Sequence, residues 1–501
     1  MYTEKDWPFK TKPRLVQLEA LSRSLFNVSG YTPDGARPEP VPIKSMHEAP
    51  NRGWGHYLEM RLGKTQATLA EFVFLAKFYD VTRFLVLAPS KFTEDWDIAA
   101  KAVNFPYPHR AVRSKVLTAK GDKALPDSGL LVCNHEIIHN KKHCATLIRW
   151  VKGGKTITVI DESVILANFT SPSSQAMHSI GKESAFTRTL SGKPQVKGPS
   201  DMYGQIRFTK GLNGVLSNDF NARYCKFGGF QGRQIVDVRA DNLDELNATI
   251  NSIGFVAKKL DWANIGDPDT FDRRIPMHPA QVEAYRKMEK DYYLEFDGAE
   301  VSPEQIVTAH AKLNQISCGF VFDDERECHW LVPPETLPRF KEIKVMLEEE
   351  IPKHEKVIIV AVHAPVIAAL LDYLKDYNPA VIRGMQKPAF TVEEKNRFNT
   401  DPNCRVIIGQ CKATKYGHDL RGTRENPCLT TIMMEGTFSL DDYSQVIERN
   451  RGVDQYGQTQ VVHFVSTARD TAMINSVAKK DDWASSVVYD RELFKPSELY
   501  T

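Results

Sequence analysis

The sequence predicts an α/β protein of two lobes, each a mostly parallel sheet flanked by helices. Three observations carry this. Short, continuous apolar runs end in breakers, as in RFLVLAP (83–89), the pattern of strands buried on both faces. Helical patterns stand between these runs, and polar residues follow their carboxyl ends, where open sheets bind ligands. The alternation occurs twice, with long amphipathic helices between the two sets. A length of 501 residues suits two to four domains.

Composition narrows the function classes. Hydrophobic residues make up 42% and charged residues 26%, as in globular proteins, and the net charge is only +2. Any nucleic-acid binding must therefore rest on local patches. MYTEKDWPFK lacks the apolar stretch of a signal peptide. The most apolar run, VIIVAVHAPVIAALL (357–371), is broken by His363 and Pro365 and reads as a strand followed by a helix. Eight scattered cysteines without a C-x-x-C pair argue against a zinc module or disulfide frame. They point to a reducing compartment, so a cytoplasmic location is expected.

In the first lobe, PFKTKPRLVQLEALS (8–22) begins with basic residues and continues as a helix with Leu15, Leu18 and Leu21 on one side. Gln17 lies on it, and an amide can read an adenine edge. After a Gly/Pro-rich loop (29–43), GWGHYLEM can supply a strand. Glu59-Met60-Arg61-Leu62-Gly63-Lys64-Thr65 follows, running into QATLAEFVFLAKF. Gly-Lys-Thr at the mouth of a helix is a minimal phosphate cradle. Lys64 would meet the β- and γ-phosphates, the Thr65 hydroxyl would ligate Mg²⁺, and the free helix N–H groups would face phosphate oxygens. Leu58 stands where the full phosphate-loop pattern has its first glycine, and Arg61 is a bulky residue within the loop.

Further strands are expected at Leu130–Cys133, followed by Asn134-His135-Glu136, and at Thr156–Ile160, followed by Asp161-Glu162. A phosphate-loop site needs one acid to hold Mg²⁺ and a second carboxylate to deprotonate the attacking water. Asp161 and Glu162 provide both at a strand end. Thr187–Leu190 is a further strand leading into Ser191-Gly192-Lys193-Pro194. Residues 211–275 are less periodic and read as an elaboration.

From 276 the pattern changes to long amphipathic helices, then to new buried strands near 357–361, 380–383, 405–409, 430–434 and 461–465. The expected division is 1–255 for the first lobe, 256–345 for a helical linker or protrusion, and 346–501 for the second lobe. The second lobe has no Gly-Lys-Thr of its own.

At this point the chain resembles superfamily 2 helicases of the Swi/Snf type, especially the compact forms carried by bacteriophages. The resemblance runs from about residue 10 to 480. EMRLGKT resembles DEMGLGKT, FLVLAPSKFTEDW resembles LIVAPxSLxxNW, and LLVCNHEII resembles xxTNYExL. ITVIDESVILAN resembles xxIDEAHxIKN, and LSGKPQVKGPSDMYGQIRF resembles LTGTPxxNxxxDLxSxLxF. KYGHDL resembles GxGLNL, SLDDYSQVIERNRGVDQYGQTQVVHFV resembles xxxxxQAxDRxHRIGQxxxVxxxxL, and Gln17 matches the glutamine of LRPYQxxGV.

The resemblance implies two RecA-like lobes with helical elaborations between them, ATP and Mg²⁺ in an interlobe cleft, and duplex or branched DNA bound without sequence preference. It implies that Gln17 reads adenine and that the loop residues Arg61, Leu62, Gly63, Lys64, Thr65 and Gln66 bind the nucleotide. Thr65 and Asp161 hold the metal, and Glu162 activates water. Gly417 and Asp419 line the second-lobe side, with Gln445, Arg449 and Arg451 near the nucleotide and Arg449 as an arginine finger. Gln445 and Arg449, four residues apart, are expected on one helix face. Ser90, Lys91, Asn134, His135, Lys193, His363 and Lys412 would track the DNA backbone, giving marked salt sensitivity. A monomer is favoured, in a host cytoplasm if the chain is phage-encoded.

The chain departs from the family at several points. Arg61 replaces a glycine, Lys193 replaces the threonine of TGTP, and Arg451 follows Arg449 by two residues instead of three. The activity implied is a DNA-dependent ATPase that translocates along duplex DNA in replication, recombination or repair. A strand-separating helicase is the alternative within enzymes. An ATP-gated, non-catalytic nucleic-acid clamp is the alternative outside them, motivated by Arg61 and Lys193.

Overall fold

The computed structural model describes residues 3–29, 53–90, 92–192, 198–209, 215–228, 234–259, 262, 265–296, 311–323, 325–414, 419–436, 440–452 and 455–481. Lys91, Lys193 and Gly417 lie outside these described residues. The contacts divide the chain into two units between Gly266 and Asp267.

In the first unit, helix α1 (Leu15–Ser29) precedes β1 (Gly53–Leu58), which leads into helix α2 (Lys64–Tyr79). Then come β2 (Arg83–Ala88), helix α3 (Thr93–Ala102), β3 (His109–Val112), β4 (Gly129–Asn134), β5 (Thr156–Asp161) and β6 (Phe186–Leu190). A hairpin of β7 (Cys225–Gly228) and β8 (Gln234–Val238) follows, then β9 (Gly254–Ala257). The seven-stranded sheet has the order β3-β4-β2-β5-β6-β1-β9, and every pair in it is parallel.

The apolar runs form central strands because both faces of the sheet are covered. On β2, Phe84 and Val86 join one core with Phe72 and Ile157, whereas Leu85 and Leu87 join a second core with Leu131, Leu147 and Ile160. Successive side chains point to opposite faces, so a strand between two helical layers needs apolar residues at every position. Helix α2 is likewise buried around much of its girth, including Ala67, Leu69, Ala70, Phe72 and Leu75.

The second unit begins with β10 (Asp269–Arg274) and the helix Pro279–Phe296, then the hairpin of β11 (Phe320–Phe322) and β12 (Cys328–Trp330). Its sheet is completed by β13 (Lys356–Ala361), β14 (Ala380–Ile382), β15 (Val406–Gln410), β16 (Cys428–Met433) and β17 (Gln460–Val465). The order is β10-β17-β16-β13-β15-β14, again all parallel. Val357 and Ile359 enter one core, Ile358 and Val360 the other.

The two-lobe α/β architecture with parallel sheets is the one the sequence predicts. The elaborations differ in one respect: they include two antiparallel hairpins beside the expected helices. Residues of the span 256–345 fall in both units. β9 ends at Ala257 on the first sheet, and β10 is an edge strand of the second. β10, with the sequence DTFDRR, is mostly exposed, so it carries no apolar run to reveal it. No described helix is long and apolar enough to cross a membrane, and all eight cysteines are free.

Candidate nucleotide site

Three neighbouring strands of the first unit end side by side, in the order β5-β6-β1. Asp161 pairs in register with Leu190, and Leu190 with His56. The chain leaving β5 therefore carries Asp161-Glu162, that leaving β6 carries Ser191-Gly192, and that leaving β1 carries residues 59–65. All three emerge on one edge of the sheet.

The loop after β1 turns through two left-handed residues, Arg61 at φ 66° and Gly63 at φ 92°. Gly63 is required for space as well, since a Cβ there would lie 2.2 Å from Gln17 Nε2. The Arg61 conformation is one that glycine adopts without strain. A side chain in it costs roughly 1–2 kcal/mol. Arg14 supports the turn, donating from Nη1 to the Arg61 carbonyl at 2.6 Å. Helix α2 then begins at Lys64, and Ala67 is the first residue to donate back, to Gly63 O at 3.1 Å. The N–H groups at the head of such a helix precede its internal ladder and point along the axis, where an anion is favoured.

Lys64 donates from Nζ to Leu58 O at 2.7 Å. Part of the residue is exposed while its ammonium end is enclosed. Burial lowers its pKa from the ordinary lysine value, and the charges of Glu162, Asp161 and Glu59 partly offset this. These are the carboxylates from the neighbouring strand end and from the loop itself. A Cβ on Gly192 would lie 3.5 Å from Lys64 Nζ, so the turn after β6 closes over the same ammonium. Glu59 also accepts the Lys259 backbone N–H at 2.8 Å, tying the loop to the segment after β9.

Asp161 is held on both oxygens. Oδ1 accepts Glu162 N at 3.0 Å, and Oδ2 accepts the indole Nε1 of Trp96 at 2.9 Å. Glu162 itself adopts φ 49°, a left-handed conformation rare for a residue with a side chain. Ser163 Oγ donates to Gln205 Oε1 at 2.7 Å, fixing the turn that follows. An ammonium, the Thr65 hydroxyl, two carboxylates and free helix N–H groups form a donor set suited to a polyphosphate with Mg²⁺, whose ligands are hard oxygens.

Gln17 is buried against this loop. Its Nε2 donates to Gly63 O at 3.2 Å and to Gln66 Oε1 at 3.0 Å, and its Oε1 accepts Arg14 N at 2.8 Å. Leu62 is buried, and Thr65 and Gln66 are half-buried at the helix head.

The residues expected to track DNA are less uniform. Ser90 Oγ and Asn134 Nδ2 both donate to Glu136 Oε2, at 2.8 and 2.7 Å. His135 is buried and its Nε2 lies 3.1 Å from Leu87 O. Its pKa is lowered by burial against weaker opposing effects, chiefly the Asp161 charge.

In the second unit, Asp419 receives Arg421 on both oxygens, with contacts down to 2.7 Å. The helix Leu440–Ile447 carries Gln445 and ends before Arg449, so the two do not share a helix face. Instead, Arg449 turns back and donates from Nε to the Gln445 carbonyl at 2.5 Å, while its own carbonyl accepts Leu420 N at 2.9 Å. Arg451 pairs with Glu448 at 2.7 Å and Asp267 at 3.1 Å. Lys412 is exposed.

His363 Nδ1 lies 3.1 Å from Glu435 Oε1, and Glu435 Oε2 accepts the backbone N–H groups of Val362 and His363. Cys318, His363 and Glu435 could each offer a metal a ligand atom, all within 4.8 Å of one another. The carboxylate is already satisfied by the imidazole and backbone, so the trio stands as a hydrogen-bonded unit.

Sequence reasoning gave no role to Trp96 or Glu136, although both stand in the motif matches, and it missed a buried ion network centred on Glu71. Glu136 was placed with Asn134-His135 at a strand end, but not as the carboxylate that holds Ser90 and Asn134. Trp96 closes the FLVLAPSKFTEDW match, but the sequence did not show that its indole meets Asp161. Glu71 and Arg188 did give a signal, as charges inside otherwise apolar elements.

No family model and no curated protein matches the sequence. Among solved structures, the chain is similar to the Sulfolobus solfataricus SWI2/SNF2 ATPase core in complex with dsDNA, at 17% identity and TM-score 0.41, over 100% of both chains. It is also similar to a structure of the Sulfolobus solfataricus SWI2/SNF2 ATPase core domain, at 17% identity and TM-score 0.41, over 99% of this chain and 96% of that one.

Proposed function

We propose that the chain is a DNA-stimulated ATPase of the helicase superfamily 2 that translocates along duplex DNA. The observation that carries the nucleotide part is the convergence on Lys64. Its enclosed ammonium faces Asp161 and Glu162 from one strand end and Gly192 from another. A phosphate-binding cation and a metal-binding acid thus meet a candidate general base. The DNA part is supported by the ordered motif resemblance and by the exposed cation Lys412 on the second unit.

In this reading Lys64 and the helix N–H groups bind phosphate oxygens, and Gln17 completes the loop toward the base. Thr65 and Asp161 would hold Mg²⁺, which supplies neutralising charge to the phosphates. Glu162 takes the proton of the attacking water. Arg449 is proposed as a further cation for the transition state, with Arg451 held to Glu448 and Asp267.

The test is ATP hydrolysis without nucleic acid and with single strands, duplex or RNA, for wild type, Lys64→Ala, Glu162→Gln and Arg449→Ala. Duplex stimulation of wild type and loss in each variant are expected. If wild type matches the variants under every condition, the motor reading is lost and an ATP-gated clamp takes its place. Displacement of a triplex strand without unwinding of plain duplex is expected, and unwinding would make the chain a strand-separating helicase.

A further inference from the structure

We propose that Glu71 is a positioning residue that holds the phosphate loop, the Ser191-Gly192 turn and Gln17 in one register. This rests on the nucleotide reading above and adds a device built from residues that touch no ligand. Glu71 lies two helical turns below Lys64 on α2, and its side chain is fully buried. Its Oε1 accepts Arg188 Nε at 2.8 Å, Arg188 Nη2 at 2.6 Å and Ser24 Oγ at 2.5 Å. Its Oε2 lies 3.1 Å from His56 Nε2. Arg188, His56 and Ser24 have no exposed surface either.

Each partner belongs to a different element, and each element delivers a different part of the site. Ser24 is on α1, seven residues and two helical turns after Gln17. His56 is on β1, which runs directly into the loop ending at Lys64. Arg188 is on β6, which runs into Ser191-Gly192. Arg188 is further fixed by donating from Nη1 to the Thr187 carbonyl at 2.8 Å. One carboxylate therefore locks four elements together beneath Lys64, Gly192 and Gln17.

Stability alone does not call for this arrangement. Apolar residues of similar volume often serve as well as a buried ion pair or better. What the pair adds is direction: Arg188 Nε and Nη2 converge on Glu71 Oε1 while Oε2 faces His56, so a shift of β6 relative to α2 breaks these bonds. The distance between Lys64 Nζ and the turn at Gly192 depends on that relation.

The test compares wild type with the double variant Glu71→Leu/Arg188→Met and with Glu71→Asp. Melting temperature, nucleotide affinity and steady-state kcat and KM are measured on the full chain with ATP, Mg²⁺ and duplex DNA. We expect the double variant to stay folded at the assay temperature and to bind ATP within about threefold of wild type, while kcat falls at least tenfold. Glu71→Asp keeps the charge but shortens the reach, and its kcat should fall by a smaller factor with KM little changed. A folded double variant with wild-type kcat overturns the proposal. If the double variant does not fold, Glu71→Asp decides: a lowered melting temperature with unchanged kcat overturns it equally. A wild type that neither binds nor hydrolyses ATP defeats the nucleotide reading and this proposal with it, whereas an active wild type with unaffected variants defeats this proposal alone.

Discussion

Trp96 donates its indole N–H to the Asp161 carboxylate at 2.9 Å, joining α3 to the end of β5 across 65 residues of sequence. Trp96 is almost fully buried, so the bond is shielded from water. Groups that orient a metal-binding carboxylate typically change metal affinity by about 10–100-fold when removed. Trp96→Phe keeps an aromatic ring, though a smaller one, and removes the donor. We expect the Mg²⁺ concentration for half-maximal ATP hydrolysis to rise about tenfold, with little change in KM for ATP at saturating metal. A Mg²⁺ titration of phosphate release checks it.

Lys64 and Glu162 should fail in different ways. Lys64→Ala removes the charge proposed to meet the phosphates, so nucleotide binding should weaken at least tenfold along with turnover. Glu162→Gln keeps the shape of the site and removes only the proposed base, so binding should survive while hydrolysis falls by about 10²–10⁴-fold. A fluorescent nucleotide titration beside a hydrolysis assay separates the two outcomes.

Acid should weaken the first unit through Glu71. Burial alone would raise this carboxyl, but Arg188 and His56 outweigh it, and its pKa falls to about 2 from an ordinary 4.5. The folded value lies below the unfolded one, so the stabilisation is complete above the unfolded pKa and is lost as pH falls toward the folded one. It amounts to something on the order of 3 kcal/mol. Urea unfolding of wild type and of Glu71→Leu/Arg188→Met at stepped pH should show the variant losing less stability across that window.

His363 should titrate on the high side. Burial alone would lower its imidazole, but the hydrogen bond and charge of Glu435 raise it above the ordinary value of 6.5. A raised folded pKa gives stability that is present below the unfolded value and is lost as pH rises through the folded one. In Glu435→Gln the raising partner is gone and burial remains, so the His363 resonance should move to a lower titration midpoint. Proton NMR of the ring hydrogens reports this directly.

Gly204 is a packing requirement behind the Asp161-Glu162 turn. A Cβ there would lie 2.0 Å from the Leu166 carbonyl oxygen, a backbone atom with little freedom to retreat. Gly204→Ala should cost about 1–3 kcal/mol, read as a drop in melting temperature.

Much of the fold was legible because strands buried on both faces need apolar residues at every position. Arg83–Ala88, Thr156–Asp161 and Lys356–Ala361 announced themselves in this way. β10 and β9 did not. An edge strand such as DTFDRR is exposed, and its membership in a sheet is decided by β17 beside it.

The sequence by itself was enough to place Gly63-Lys64-Thr65 at a helix head and Asp161-Glu162 after an apolar run. Local sequence suffices there because helix starts and strand ends are local events. Tertiary structure alone decided which side chains meet. It set Trp96 on Asp161, closed Gly192 over Lys64, and turned Arg449 back past the end of its helix. It also gathered Ser24, His56 and Arg188 onto Glu71. These pairings are set by strand order and by burial, which takes unpaired charges out of water and forces them to find partners wherever the chain brings them.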